Sequence, residues 1–137
     1  MTRENIELKN YEIITIVNSL NRGDSILKSN DPSRKYPISL LWRVSGNLKK
    51  LNELATRVSE EETKINELYF TEERSDINED GSMTVKEEFR DEFVKAKNEL
   101  FEIVNSVEID KVNVKDIENL DMAPLDFASI EFMLTEE

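Results

Sequence analysis

Six residues with oxygen-bearing side chains fall at calcium-loop spacing between residues 76 and 87. Asp76, Asn78 and Asp80 occupy the first, third and fifth positions of an EF-hand loop, and Gly81 takes the sharp turn at the sixth. Ser82 would offer its carbonyl, Thr84 a hydroxyl or a bound water, and Glu87 the closing bidentate carboxylate. Calcium takes roughly six to eight hard oxygens, which this string could supply. Glu72 and Ser75 stand where apolar residues usually precede such a loop, Phe89 sits two past Glu87, and no second loop exists to pair with it. The other reading is a hairpin, in which Asp80-Gly81 makes the turn and 74–77 and 82–85 are short strands.

A second group is cationic. Arg43, Lys50, Arg57 and Lys64 recur every seven residues and so form a stripe along one helix. Lys49 and, through the preceding loop, Arg34 and Lys35 extend it. Arg43, Lys50 and Arg57 are the candidate ligand-binding residues, suited to phosphates, a nucleotide or an acidic partner, with Trp42 and Tyr36 close enough in sequence to stack on a base. The competing reading is a solvated face paired with nearby acids. A third group is acidic: Glu60, Glu61, Glu62, Glu67, Glu72, Glu73, Glu79, Asp80, Glu87, Glu88, Asp91 and Glu92 gather around one predicted tip. Such a tip either mimics a phosphate backbone toward a basic cleft or keeps the protein soluble by self-repulsion.

Other chemistry is excluded by what is missing. The chain has no cysteine and no histidine, so it offers no thiolate nucleophile, disulfide, zincin site or neutral-pH imidazole base. Gly23, Gly46 and Gly81 lie too far apart for a phosphate loop, and no Ser-x-x-Lys box or nucleophile elbow is present. No catalytic residue is nominated, an enzyme is not expected, and no cofactor is implied beyond the calcium reading.

The elements that must position these groups follow from hydrophobic spacing. Over 137 residues, 38% are hydrophobic and 35% charged, which suits a single domain, 1–137, with a surface richer in charge than the roughly 25% usual for globular domains. Residues 5–8 suggest a strand. Asn10 is a fair N-cap for a helix to Leu20, although Ile13-Ile14-Thr15-Ile16-Val17 is β-branched enough for a strand. Asp31-Pro32 and Tyr36-Pro37 mark loop. Leu41, Val44, Leu48, Leu51, Ala55 and Val58 form a heptad-like seam, predicting a helix over 38–70 of about 50 Å, unless the capping-box spacing at Ser59-Glu60-Glu61-Glu62 breaks it.

Phe89, Phe93, Ala96, Leu100, Phe101 and Val104 predict a second helix over 86–105. The two should form a long antiparallel helical hairpin, about 38–105, leaving up to ~20 Å of seam for another element or a second copy of the chain. Val107, Ile109, Val112 and Val114 read as strand, with a phase slip at Asp110-Lys111 that suggests a bulge or strand end. Pro124 precedes a short helix over 125–134. The expected class is α+β, mostly α, with a small β element joining the two strands and a short C-terminal helix.

The net charge of −12 divides unevenly, +4 over residues 1–58 and −16 over 59–137. The acidic total disfavours non-specific duplex nucleic acid. No apolar run is long enough for a membrane span, and Met1-Thr2-Arg3-Glu4-Asn5 is not a secretion signal.

The order of elements resembles a family of small proteins of unknown function from phages and prophages of Gram-positive bacteria. The likeness rests on Ile6-Glu7-Leu8-Lys9-Asn10, the helix start Pro37-Ile38-Ser39-Leu40-Leu41-Trp42-Arg43, the Asp-Gly turn, Val107-Glu108-Ile109-Asp110-Lys111-Val112, and Leu120, Pro124, Leu125 and Ile130-Glu131-Phe132-Met133-Leu134. It implies a non-enzymatic accessory protein in the cytoplasm of the bacterial host. Such a protein would act in counter-defence or host interaction, binding a host or phage protein or sequestering a nucleotide signal; the unmatched length of the first long helix, rather than the resemblance, suggests a homo-oligomer. A structural or assembly protein of the phage programme and an EF-hand-like calcium-binding protein are the alternatives.

Overall fold

The computed structural model describes residues 2–28 and 36–136. The expected cations Arg34 and Lys35 and the loop marker Asp31-Pro32 lie outside the described residues. In chain order the elements are β1 (Thr2–Lys9), α1 (Asn10–Asn21), α2 (Ile38–Tyr69), β2 (Ser75–Ile77), β3 (Met83–Val85), α3 (Glu87–Phe101), β4 (Val104–Asn113), α4 (Pro124–Ile130) and β5 (Leu134–Thr135). The class is α+β and mostly helical, with a small sheet. Its order is β1-β4-β5, β1 lying antiparallel to β4 with Ile6 opposite Val107, and β5 parallel to it. β2 and β3 form a separate hairpin.

The first strand extends well beyond the expected 5–8. The β-branched stretch after it is helical, because its spacing buries Ile13, Val17 and Leu20 on one face. Packing of that stripe outweighs the fraction of a kcal/mol per residue by which Ile, Val and Thr disfavour helix. Lys9, not Asn10, is the N-cap residue: its N–H donates to Glu12 Oε1 at 3.0 Å. The Glu102 carboxylate, 2.8 Å from the Lys9 ammonium, holds that lysine above its ordinary range. Asn10 instead ties three elements together. Its side-chain amide donates to the Leu100 carbonyl at 2.7 Å and its Oδ1 accepts from Asn105 Nδ2 at 2.7 Å. With the Leu100 carbonyl taken this way, α3 stops at Phe101 rather than reaching 105, and β4 starts at Val104.

α2 runs unbroken through the capping-box spacing. Ser59 sits inside the helix and its carbonyl accepts from Thr63 Oγ1 at 3.0 Å. The helix is 32 residues, about 48 Å long. Its first half buries Leu40, Val44, Leu48 and Leu51 against Leu8, Ile13, Leu20, Ile109, Ile130 and Met133. Burying each such side chain contributes about 1.5–3 kcal/mol. α1 and β4 thus cover the seam that the 15-residue α3 cannot reach, and no second copy is needed there. The second half of α2 meets α3. Phe93 lies against Tyr69 and Phe70, with ring centroids 5.4 and 5.5 Å apart, and Lys97 Nζ is 3.0 Å from Glu62 Oε2.

The expected slip in β4 has a different cause from a bulge. Its register with β1 is continuous from Lys111 opposite Thr2 to Val104 opposite Lys9. Ile109, Asp110, Lys111 and Val112 are all buried, so the strand loses its two-residue alternation because both of its faces are covered there. Asp110 accepts from Arg3 Nε at 2.9 Å, and Lys111 Nζ donates to the Phe132 carbonyl at 3.2 Å. Asn47, fully buried on α2, reads the backbone of Asp110 in both directions. Its Nδ2 donates to the Asp110 carbonyl at 3.0 Å, and its Oδ1 accepts the Asp110 N–H at 2.9 Å. One turn on, Lys50 Nζ donates to the Glu108 carbonyl at 2.9 Å. Val114 lies in a 3₁₀ turn rather than a strand. The C-terminal helix ends at Ile130, since a 3₁₀ turn over Glu131–Met133 re-aims the chain into β5, which the sequence reading lacks.

Asn47→Ala leaves a buried N–H and a buried carbonyl without partners. It should lower unfolding stability by about 2–5 kcal/mol in urea melts. Asn52→Ala on the same helix, where among the described residues the side chain accepts one long hydrogen bond, from Asn21 at 3.4 Å, should change it by less than about 0.5 kcal/mol. Equal effects from the two would refute this role for Asn47.

Candidate functional site

The segment carrying Asp76, Asn78, Asp80, Ser82, Thr84 and Glu87 folds as a hairpin. Asp76 pairs with Thr84 and Ile77 with Met83 across β2 and β3. Gly81 N–H donates to the Asn78 carbonyl at 3.0 Å, and Gly81 has φ of 87°, a left-handed conformation that favours glycine. The polar side chains bond one another. Asn78 Nδ2 donates to Ser82 Oγ at 2.9 Å and Thr84 Oγ1 at 2.8 Å, and Asp80 Oδ1 accepts from the Ser82 hydroxyl at 2.6 Å and its N–H at 3.0 Å. The Ser82 hydroxyl, with its backbone N–H, holds the Asp80 carboxyl below the ordinary aspartate range. Glu87 is the first residue of α3, beyond the pair of strands. Among the described residues no group of three or more Asp or Glu side chains is arranged to hold a metal.

The cationic stripe is divided among different surroundings. Lys50 is held at Glu108, its Nζ 2.9 Å from the carbonyl and 3.9 Å from Oε1. Lys64 pairs with Glu61 at 3.1 Å. Arg43 is half-buried near the start of α2. Arg57 lines a cleft of about 220 Å³ with Glu61, Leu54, Leu100, Asn10 and Asn105, and neither Arg43 nor Lys50 lines it. Tyr36, the expected stacking ring, anchors α4 to the start of α2: its hydroxyl donates to the buried Asp126 carboxylate at 2.6 Å. Trp42 is 72% exposed on the outer face of α2, one turn after Ile38 at 83%.

The acidic groups and a set of apolar side chains meet at the far end of α2. Leu68 (58% exposed), Phe70 and Ile77 (65% exposed) stand among Glu67, Glu72, Glu73, Asp76, Glu79 and Asp80, all of them exposed. Arg74, the sole cation of residues 65–82, is turned inward. Its Nη1 donates to the Leu68 carbonyl at 2.7 Å, and its guanidinium covers the Tyr69 and Phe89 rings at 5.5 and 5.8 Å. Ser75 fastens the hairpin to the helix end, donating to the Tyr69 carbonyl at 2.6 Å. The tip therefore presents carboxylates and apolar side chains together, with its one positive charge occupied from within. The sequence reading found the acids but missed Leu68 and Ile77, which continue no seam and so carry no periodic signal.

No helix among the described residues is long and apolar enough to cross a membrane. No protein-family model, curated protein or solved structure matches the chain.

The lowered pKa of Asp80 has a defined consequence. Its stabilising effect on the turn is present above the ordinary aspartate range and is lost as pH falls through the lowered value. The Ser82 amide resonance should titrate with a midpoint below that range, and Ser82→Ala should move the Asp80 midpoint upward. A wild-type midpoint at the ordinary value would remove the hydrogen bond from the account. Because Asn78 and Asp80 are engaged with Ser82 and Thr84, calcium titration should release no heat; a one-to-one isotherm abolished by Glu87→Gln would instead establish the calcium loop.

Proposed function

We infer that the protein is a non-enzymatic accessory protein of a phage or prophage that acts in the host cytoplasm by binding another protein. The end of α2, with the β2–β3 turn fastened to it, is the docking surface. The observation that carries this reading is the joint exposure of Leu68, Phe70 and Ile77 among six carboxylates whose one neighbouring cation faces inward. Apolar side chains supply the burial that stabilises a complex, and the surrounding charge sets the choice of partner and the rate of encounter. The partner is accordingly a host protein with an apolar pocket rimmed by Lys and Arg, and counter-defence by occupying a basic functional cleft is the role that fits.

Sequestration of a nucleotide signal is supported less. Its cations are dispersed, and the cleft beside Arg57 is smaller than the roughly 300–1,000 Å³ of ordinary ligand sites.

A photo-crosslinking residue at position 77 should capture one host protein, and the same residue at position 94, exposed on α3, should not. Ile77→Asp should weaken that complex about tenfold or more, and binding should fall steeply with salt. Equal capture from both positions would refute docking at the tip. A thermal shift with cyclic dinucleotides that disappears in Arg57→Ala would transfer the function to the cleft.

A further inference from the structure

We propose that the free edge of β1 pairs with β1 of a second copy of the chain, joining two sheets across a two-fold axis. The hydrogen-bond phase shows which backbone groups are available. Asn10 N–H donates to the Ile103 carbonyl at 2.9 Å, and the register places Leu8, Ile6 and Glu4 opposite Asn105, Val107 and Ile109. In an antiparallel ladder the bonded pairs fall at every second residue, so these pairs face β4. Arg3, Asn5 and Glu7 therefore turn their own N–H and C=O groups away from β4, while the Lys9 N–H is taken by Glu12. The sheet order puts β1 at the edge, and no other described strand lies beyond it.

This edge carries only charge among the usual edge protections, and that charge is of both signs. It is eight residues long and contains no proline or glycine, and its pairing with β4 is unbroken by a bulge. Its opposite edge neighbour differs: the far side of β4 is closed by Asn47, Lys50 and β5.

The charges on β1 are self-complementary in one register. Two outward-facing strands related by a two-fold axis must pair odd-numbered residues with odd-numbered residues. Centring the axis on Asn5 sets Arg3 of each copy opposite Glu7 of the other, with about six backbone hydrogen bonds. Moving the centre to Ile6 would set Arg3 against Lys9, and moving it to Glu7 would set that carboxylate against its own copy, both unfavourable. Arg3 is already held on that face by Asp110 at 2.9 Å, and Glu7 is exposed with no ion pair among the described residues. The result is a continuous row of alternating sign, Asp110, Arg3, then Glu7 of the second copy.

The absence of cysteine makes the test direct. Asn5→Cys places a single thiol opposite its own copy, and a short bismaleimide should give a covalent dimer. Thr15→Cys, exposed on α1, should not. Wild-type protein should sediment as a dimer. Glu7→Lys opposes like charges twice and should raise the dimer dissociation constant about tenfold or more. Asn5→Pro removes an outward N–H while sparing the ladder to β4, and should give a monomer with an unchanged circular dichroism spectrum. A wild-type monomer at every accessible concentration, or a dimer unaffected by either folded variant, would overturn the proposal.

Discussion

A β-strand in the middle of a small protein has two rows of backbone groups to satisfy, and here a helix supplies one row. β4 has β1 along one edge. Along the other, β5 reaches only Val112 and Asn113, so Asp110 and Glu108 would face a helix with their polar groups unmet. The side-chain amide of Asn47 has the same donor and acceptor pair as a peptide, and it stands in for a strand residue at Asp110. Lys50 does half of the same task at Glu108. A buried unpaired backbone group costs about 1–3 kcal/mol, and the two Asn47 bonds are directional, so they fix the rotation and height of α2 on the sheet, which the non-directional burial of its leucines does not do. The placement of everything further along α2 follows from that anchoring.

The charge asymmetry has a spatial counterpart. The core gathers around the first half of α2, where α1, β4 and the C-terminal turn converge. The second half of α2 carries most of that helix's acids and few buried side chains, Val58 among them, and meets α3 through Phe93 against Tyr69 and Phe70 and through the Lys97–Glu62 pair. Most of the buried core contacts and most of the helix's exposed carboxylates are thus carried by different lengths of one helix. Substitutions of exposed residues at the acidic end should leave the core little changed, since surface changes of this kind usually stay within about 0.5 kcal/mol.

Much of this was legible in the amino-acid sequence. The seam Val44, Leu48 and Leu51, the Asp-Gly turn, two of the three strands of the sheet and the short helix at Pro124 all carry periodic or turn signals that local physics converts to structure. What escaped is non-local. Asn47 occupies a core position as a polar residue, and nothing nearby in the chain shows that Asp110 is waiting for it. Asn10 resembles an N-cap, yet its amide is used by Leu100 and Asn105, some ninety residues away. The lost alternation around Asp110 was visible, but covering of both faces and a bulge leave the same trace. The seven-residue spacing of the cationic stripe was legible, but spacing does not reveal that Lys50 donates to the Glu108 carbonyl.

The pairing of β1 with β4 also governs the order in which the molecule can be assembled. The two strands lie about a hundred residues apart in the chain. Closing a loop of that length costs about 4 kcal/mol beyond a fixed term, and no ladder bond compensates until it is closed. α2, α3 and the β2–β3 hairpin need only local contacts and can form early. β1, made before β4, must wait with both edges bare until β4 has emerged. The same strand that commits last is therefore the segment most exposed to mispairing during synthesis, and its run of charges keeps that waiting strand in solution.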